Sequence, residues 1–157
     1  HLERLRDIEK VIIQKGFQAL RLSSMRDGSV FSTEGTTIFL LDVMGQLKSC
    51  YAQASAVFVG GSLVKKGGHN IIEPAVLSKP IVFGPFMYNF QDIADLFLQS
   101  EAAIQIADRR QLENSLSTLL HDEAIREMMG AKARGVTENN KGATERTLKL
   151  LQAAHTI

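Results

Sequence analysis

The sequence predicts an α/β protein built on a mostly parallel sheet with helices on both faces. Three observations carry that prediction. Short apolar runs rich in β-branched residues occur at 36–41, 56–59, 81–83 and 103–106, each of a length that suits a buried strand. Between them lie segments whose apolar residues return every three or four positions, the spacing of helices with one buried face. Glycine, proline and aspartate punctuate the junctions. Strand and helix alternating in this way make a Rossmann-like domain.

Taken in order, the elements support that class. Leu2, Leu5, Ile8, Val11, Ile12 and Ile13 recur at helical spacing among charged residues, so an amphipathic helix opens the chain and stops at Gly16. Residues 17–22 are a short strand candidate, and the polar stretch 23–35 reads as an exposed loop. The run 36–41 is a buried strand, Asp42 is placed as an N-cap, and 46–54 returns to helical spacing. After the 57–59 strand and a glycine-rich loop, 71–77 should be helical. Pro74 is tolerable only near the first turn, which fixes the start close to Asn70. Pro80 opens the strand 81–83, which ends at Gly84-Pro85; 90–98 is helical and 103–106 is a strand. From Arg109 the chain is a helical tail with breaks near His121, between Gly130 and Gly135, and at Gly142.

Composition narrows the function. At 157 residues the chain can form one domain with a real core. Eighteen basic residues against 17 acidic ones leave no electrostatic case for nucleic acid, and without Trp there is no base-stacking platform. Cys50 is the only cysteine, so no intramolecular disulfide forms. No apolar run approaches the ~20 residues that span a bilayer. No His/Cys/Asp/Glu set has metal-ligand spacing and no nucleophile sits beside a base. His1 begins inside a charged helical pattern, as a piece of a longer protein would.

The chemistry concentrates at 57–74, VFVGGSLVKKGGHNIIEP. Strand, glycine-rich loop and helix start together turn backbone N–H groups toward an anion. Gly60, Gly61, Gly67 and Gly68 let the backbone come close, and Lys65 and Lys66 add positive charge. Four glycines with two lysines exceed the needs of a tight turn. The spacing matches neither G-x-G-x-x-G nor the P-loop, so the motif reads only as a phosphate or nucleotide site. His69 either donates to a phosphate or packs beside the loop. Asn70 and Glu73 stand three apart, which fits a capping box; Glu73 could equally accept from two ribose hydroxyls. Ligands of such sheets lie beyond the carboxyl ends of the strands. Two more loops belong to that rim: 42–46, through the backbone of Met44 and Gly45, and 84–92, through Asn89 and Gln91. His1 and Arg4 share a helical face from which they could reach a phosphate.

The stretch GGSLVKKGGHNIIEPAVLSKPIVFGPFMYNFQDIADLF resembles the signature region of the 3-deoxy-D-manno-octulosonic acid (Kdo) transferases. Upstream, LLDVMGQL is similar to that family's D-x-M-G-E-L segment, with Gln46 in place of Glu. His1-Leu2-Glu3-Arg4 is similar to its H-P-E-R, with Leu2 in place of Pro. The resemblance implies a GT-B glycosyltransferase of lipopolysaccharide synthesis. Residues 1–157 would form most of its C-terminal, donor-binding domain, without the first strand and helix of that domain. It implies CMP-Kdo as donor, bound by His1, Arg4, Met44, Gly45, Gly60, Gly61, Lys65, Gly67, Gly68, His69, Asn70 and Glu73. Glu73 would hold the ribose, Asn70 the phosphate or sugar carboxylate, and the Met44-Gly45 backbone the cytosine. The lipid A precursor, the membrane contact and the catalytic base would belong to an N-terminal domain, at the cytoplasmic face of the bacterial inner membrane. Neither a metal nor a cofactor is implied, and 1–157 alone should be inactive. Other readings are a GT-B enzyme using a UDP-sugar, a non-catalytic nucleotide-binding module, or a scaffold whose loop is merely structural.

Overall fold

The computed structural model describes residues 4–25 and 35–140. His1, most of the 23–35 loop and the break at Gly142 lie outside the described residues. The chain divides into two compact units, His1–Leu47 and Lys48–Ile157.

In the first unit the helix α1 (Leu5–Gln14) leads into β1 (Gln18–Arg21), a 3-10 turn (Leu22–Ser24) and later β2 (Thr37–Leu40). The two strands pair in parallel, from Gln18 opposite Thr37 to Arg21 opposite Leu40. Helix α1 buries Ile12 and ends two residues before Gly16, whose N–H donates to the Ile13 carbonyl. Arg21 reaches back from β1 to Glu9 on α1 at 2.5 Å. That hydrogen bond, followed by the charge of Glu9, strengthens the guanidinium's hold on its proton.

The second unit contains α2 (Leu47–Gln53), β3 (Val57–Phe58), α3 (Ile72–Val76), β4 (Ile81–Phe83), α4 (Gln91–Gln99), β5 (Ala103–Gln105), α5 (Arg109–His121) and α6 (Glu123–Asn139). Its three strands run parallel in the order β3-β4-β5. Side chains alternate across the central strand. Ile81 and Phe83 pack with Ile71, Ala75, Ala94 and Phe97, whereas Val82 packs with Ile106, Leu119 and Met129. Helices therefore cover both faces, α3 and α4 on one and α5 on the other. Helix α6 serves both, giving Met129 to one cluster and Ala133 and Val136 to the other. Phe83 and Phe97 are fully buried; truncating either to Ala should cost about 3–5 kcal/mol.

Caps explain where the last two helices begin. Asp108 accepts from the Gln111 N–H at 2.8 Å, and Asp122 accepts from the Ile125 N–H at 3.0 Å. Asp122 ends α5 as well as starting α6, which is the expected break near His121. Three other boundaries differ from expectation. Helix α6 runs unbroken through Gly130 and Gly135, and Gly130 is small for a packing reason. A Cβ there would collide with the carbonyl oxygen of Ser78, just beyond α3. Helix α3 is shorter than 71–77, because the chain turns away at Ser78 with φ 55°. Asp42 caps no helix: α2 begins at Leu47, and the Asp42 carboxylate points back to Ser23.

Candidate functional site: a glycine loop braced by its neighbour

The loop of residues 60–71 leaves the carboxyl end of β3, where Val59 N–H still donates to the Val82 carbonyl at 2.9 Å. Ser62 closes its first turn. The Ser62 hydroxyl donates to the Val59 carbonyl at 2.6 Å and accepts from the Gly84 N–H at 2.7 Å. Its carbonyl accepts from the Phe86 N–H at 2.9 Å, and the residue is 0% exposed. These bonds lock the glycine loop onto the 84–90 loop that follows β4.

The second half of the glycine loop lies on the same neighbour. Asn89 N–H donates to the Gly67 carbonyl at 3.3 Å, and the Asn89 side-chain amide to the Lys66 carbonyl at 3.4 Å. Gly67 and Gly68 are buried, with φ of +86° and +71°. Asn89 fills the space where a Cβ on Gly67 would stand, and the Met87 sulfur fills it for Gly68. Both the backbone conformation and the lack of room thus require glycine. Among the described residues, the N–H groups of Gly67, Gly68 and His69 donate to no acceptor. Nearly all buried backbone donors in folded proteins are paired, so the bare N–H groups of the buried Gly67 and Gly68, followed by that of the exposed His69, are suited to an anion.

The flanking side chains complete the loop. His69 is exposed and folds back, placing its Nε2 3.7 Å from the position of a Cβ on Gly61. Asn70 accepts from the Ile72 N–H at 2.9 Å through its side-chain oxygen, and its amide stands 3.4 Å from Glu73 Oε1. The capping box is not formed: the N-cap position of α3 is Ile71, Asn70 bonds the Ile72 N–H from one residue further back, and Glu73 meets the Asn70 side chain rather than its backbone N–H. Helix α3 has only five residues, so the donors come from loop amides more than from a helix dipole. Glu73 also shapes a cleft of about 370 Å³ with Lys48, Ile72, Val76 and Leu77. Burial, and after it the Glu73 carboxylate, pushes the Tyr51 phenol above its ordinary pKa. A larger apolar cleft of about 450 Å³, between α3, α4 and α6, does not include the bare amides.

The structure therefore brings Gly61, Gly68 and His69 together, with Gly60 and Gly67 in the same loop and Asn70 and Glu73 side by side at its end. Lys65 and Lys66 are exposed on the turn between the glycine pairs. Gln91 is exposed, and its side-chain amide donates to Asp95 along α4 at 2.8 Å. In the first unit, Arg4 is exposed at the start of α1 and Met44 is 97% exposed. Asp42 fixes the base of that Met44-Gly45 loop. Its two oxygens accept from the Ser23 N–H at 2.8 Å and the Ser23 hydroxyl at 2.5 Å. These bonds, the hydroxyl's first, hold the carboxyl below its ordinary pKa. Sequence reasoning missed Ser62 and Met87. A small hydroxyl residue directly after a strand-ending glycine pair was the available signal for Ser62.

Among the described residues no group of three His, Cys, Asp or Glu could hold a metal ion, and no helix is long and apolar enough to cross a membrane. A parallel α/β sheet with helices on both faces and a donor-rich loop at its carboxyl edge defines a Rossmann-like domain of the kind that forms the C-terminal half of a GT-B fold. The chain matches, with a TM-score of 0.78, the crystal structure of the C-terminal CMP-Kdo binding domain of WaaA from Acinetobacter baumannii. The two are 33% identical, and the match covers 87% of this chain and 69% of that one. The chain belongs to the 3-deoxy-D-manno-octulosonic acid transferase family. It is 32% identical over 153 residues to 3-deoxy-D-manno-octulosonic acid transferase from Haemophilus influenzae, covering 97% of this chain and 35% of the relative. The enzyme of that name from Rickettsia bellii is 36% identical over 151 residues, covering 96% of this chain and 34% of the relative. The chain thus spans about a third of the curated relatives' length. No family model matches it.

Proposed function

We propose that residues 1–157 are the donor-binding part of a glycosyltransferase that moves Kdo from CMP-Kdo to a lipid A precursor. The observation that carries this reading is the bare amide array of Gly67, Gly68 and His69, held at the carboxyl edge of a parallel sheet. The CMP-Kdo binding domain whose structure this chain resembles supports the choice of donor.

In an inverting transfer, a base takes the proton of the acceptor hydroxyl as that oxygen attacks the anomeric carbon, and the bond to the CMP phosphate breaks. Negative charge grows on the departing phosphate. The loop amides stand ready to receive it, and they need little reorganisation because Asn89 and Met87 already press the loop into shape. His69 and Lys65 add donors beside them. Asn70 reaches the phosphate or the sugar carboxylate, and Glu73 accepts from the ribose hydroxyls. Gly60 and Gly61 keep the approach clear of side chains. His1, Arg4, Met44 and Gly45 stay with the donor by resemblance alone. The base, the lipid A precursor and the contact with the cytoplasmic face of the inner membrane fall to an N-terminal acceptor domain outside 1–157.

An amide NMR titration with CMP, using UMP as control, tests the reading. Selective shifts at Gly67, Gly68, His69 and Glu73 with CMP are expected. A preference for UMP would replace the donor with a UDP-sugar. In the same assay Glu73→Ala should weaken CMP, and unchanged affinity would remove the ribose contact.

A further inference from the structure

We infer that Ser62 is a positioning residue for the donor site, acting through the 84–90 loop rather than by touching ligand. The inference rests on the donor reading of the glycine loop. Ser62 is a buried polar residue, 0% exposed, so it cannot meet a ligand from where it stands. Its three hydrogen bonds join what would otherwise be two independent loops. The hydroxyl takes the Gly84 N–H and gives its proton to the Val59 carbonyl, while the carbonyl takes the Phe86 N–H. Gly84 lies so close that a Cβ on it would strike the Ser62 carbonyl group and the Leu63 nitrogen. The neighbouring loop, anchored in this way at Gly84 and Phe86, carries Met87 and Asn89. Those two side chains occupy the space above Gly68 and Gly67, at the bare amides. Position passes along one chain of contacts: Ser62, then Gly84 and Phe86, then Met87 and Asn89, then the donors of Gly67 and Gly68.

A buried hydroxyl that merely filled space would affect stability alone. A hydroxyl that aims the amides also sets affinity in the folded state. The two are separated by measuring CMP binding calorimetrically, well below each protein's unfolding midpoint, for the 157-residue chain and three variants. Ser62→Ala removes the bridge. Gly84→Ala keeps the hydroxyl and every core side chain but forces the two loops apart, and it carries the test if Ser62→Ala does not fold. Leu119→Ala, in the cluster under α5 that Leu63 also borders, destabilises the same unit without touching Ser62, Gly84, Phe86, Met87 or Asn89, none of which belongs to that cluster. Ser62→Ala and Gly84→Ala should each weaken CMP about tenfold, the worth of one charge-assisted hydrogen bond, while Leu119→Ala leaves affinity unchanged. Amide shifts of Gly67 and Gly68 should differ from the parent in the first two variants before any ligand is added. Folded Ser62→Ala or Gly84→Ala protein with the parent's affinity overturns the positioning role and leaves the donor reading intact. A parent that binds no CMP overturns the donor reading and this inference with it.

Discussion

Two of the loops that follow the carboxyl ends of parallel strands in this chain are held by different physics. The 60–71 loop after β3 is braced by backbone: a fully buried serine, carbonyl-to-amide bonds to the neighbouring loop, and side chains packed onto two glycines. The 42–46 loop after β2 is clipped by one half-buried carboxylate, Asp42, bonded to Ser23. Ser23 and Asp42 each lie two residues beyond the last strand pair, Arg21 opposite Leu40, so the clip extends the register by one step where the backbone ladder has ended. The difference teaches where rigidity comes from. A braced loop keeps its shape over any pH at which the core survives, whereas a clipped loop depends on a charge.

Gly68→Ala is the severest test of the brace. The new methyl must displace the Met87 sulfur while the backbone sits at φ +71°. Overpacking and left-handed strain together should cost about 2–5 kcal/mol in denaturant unfolding. CMP affinity should fall on the order of 100-fold, as more than one anion contact is misplaced. A variant of parental stability would mean that the neighbouring loop yields, and the loop is not braced.

The same contrast between packed and unpacked backbone occurs within α6 and predicts opposite signs. Gly130→Ala pushes a methyl against the Ser78 carbonyl, an overpacking cost of about 1–3 kcal/mol that exceeds the ~1 kcal/mol gained in helix propensity. Gly135 has nothing within 4 Å of a Cβ, so Gly135→Ala should stabilise by about 1 kcal/mol. Paired thermal melts decide it: Gly130→Ala melting below the parent and Gly135→Ala above.

The clip gives the smallest effect and the only one tied to pH. The folded carboxyl of Asp42 titrates below its ordinary value, so its contribution is fully present above the ordinary carboxylate range and is lost as pH falls through the depressed value. Ser23→Ala should move the Asp42 midpoint upward, read from its carboxyl carbon by NMR, and leave the amides of 60–71 unshifted. An unmoved midpoint would show that Ser23 is not the clip.

Much of this was legible in the residues. The run 81–83 reads as a strand because β-branched and aromatic side chains sit between Pro80 and Gly84, and the strand is observed there. Helix α1 follows from its charge-flanked leucines and isoleucines, and the grouping at 60–73 from its glycines. What was illegible depends on contacts distant in sequence. Gly130 looks like a helix break until Ser78 is seen against it. Asp42 looks like a cap because the next helix is near in sequence, yet its partner lies nineteen residues back. Ser62 carried only the faint mark of a hydroxyl after a glycine pair, since its three partners come from two separate strand ends. Local spacing reports local structure; a bridge between two loops leaves no periodic trace.

Helix α6 has a consequence for how this unit forms. Among the described residues it is the element that packs on both faces of the β3-β4-β5 sheet, and it follows the other described strands and helices of the unit. A growing polypeptide that has emerged from the ribosome only as far as α5 exposes Phe83 and Phe97 on one side and Val82 on the other without their last cover. Cooperative closure then waits for Met129, Ala133 and Val136. Chains stalled during synthesis should stay open to protease until those residues clear the exit tunnel, and resist it in a single step afterwards.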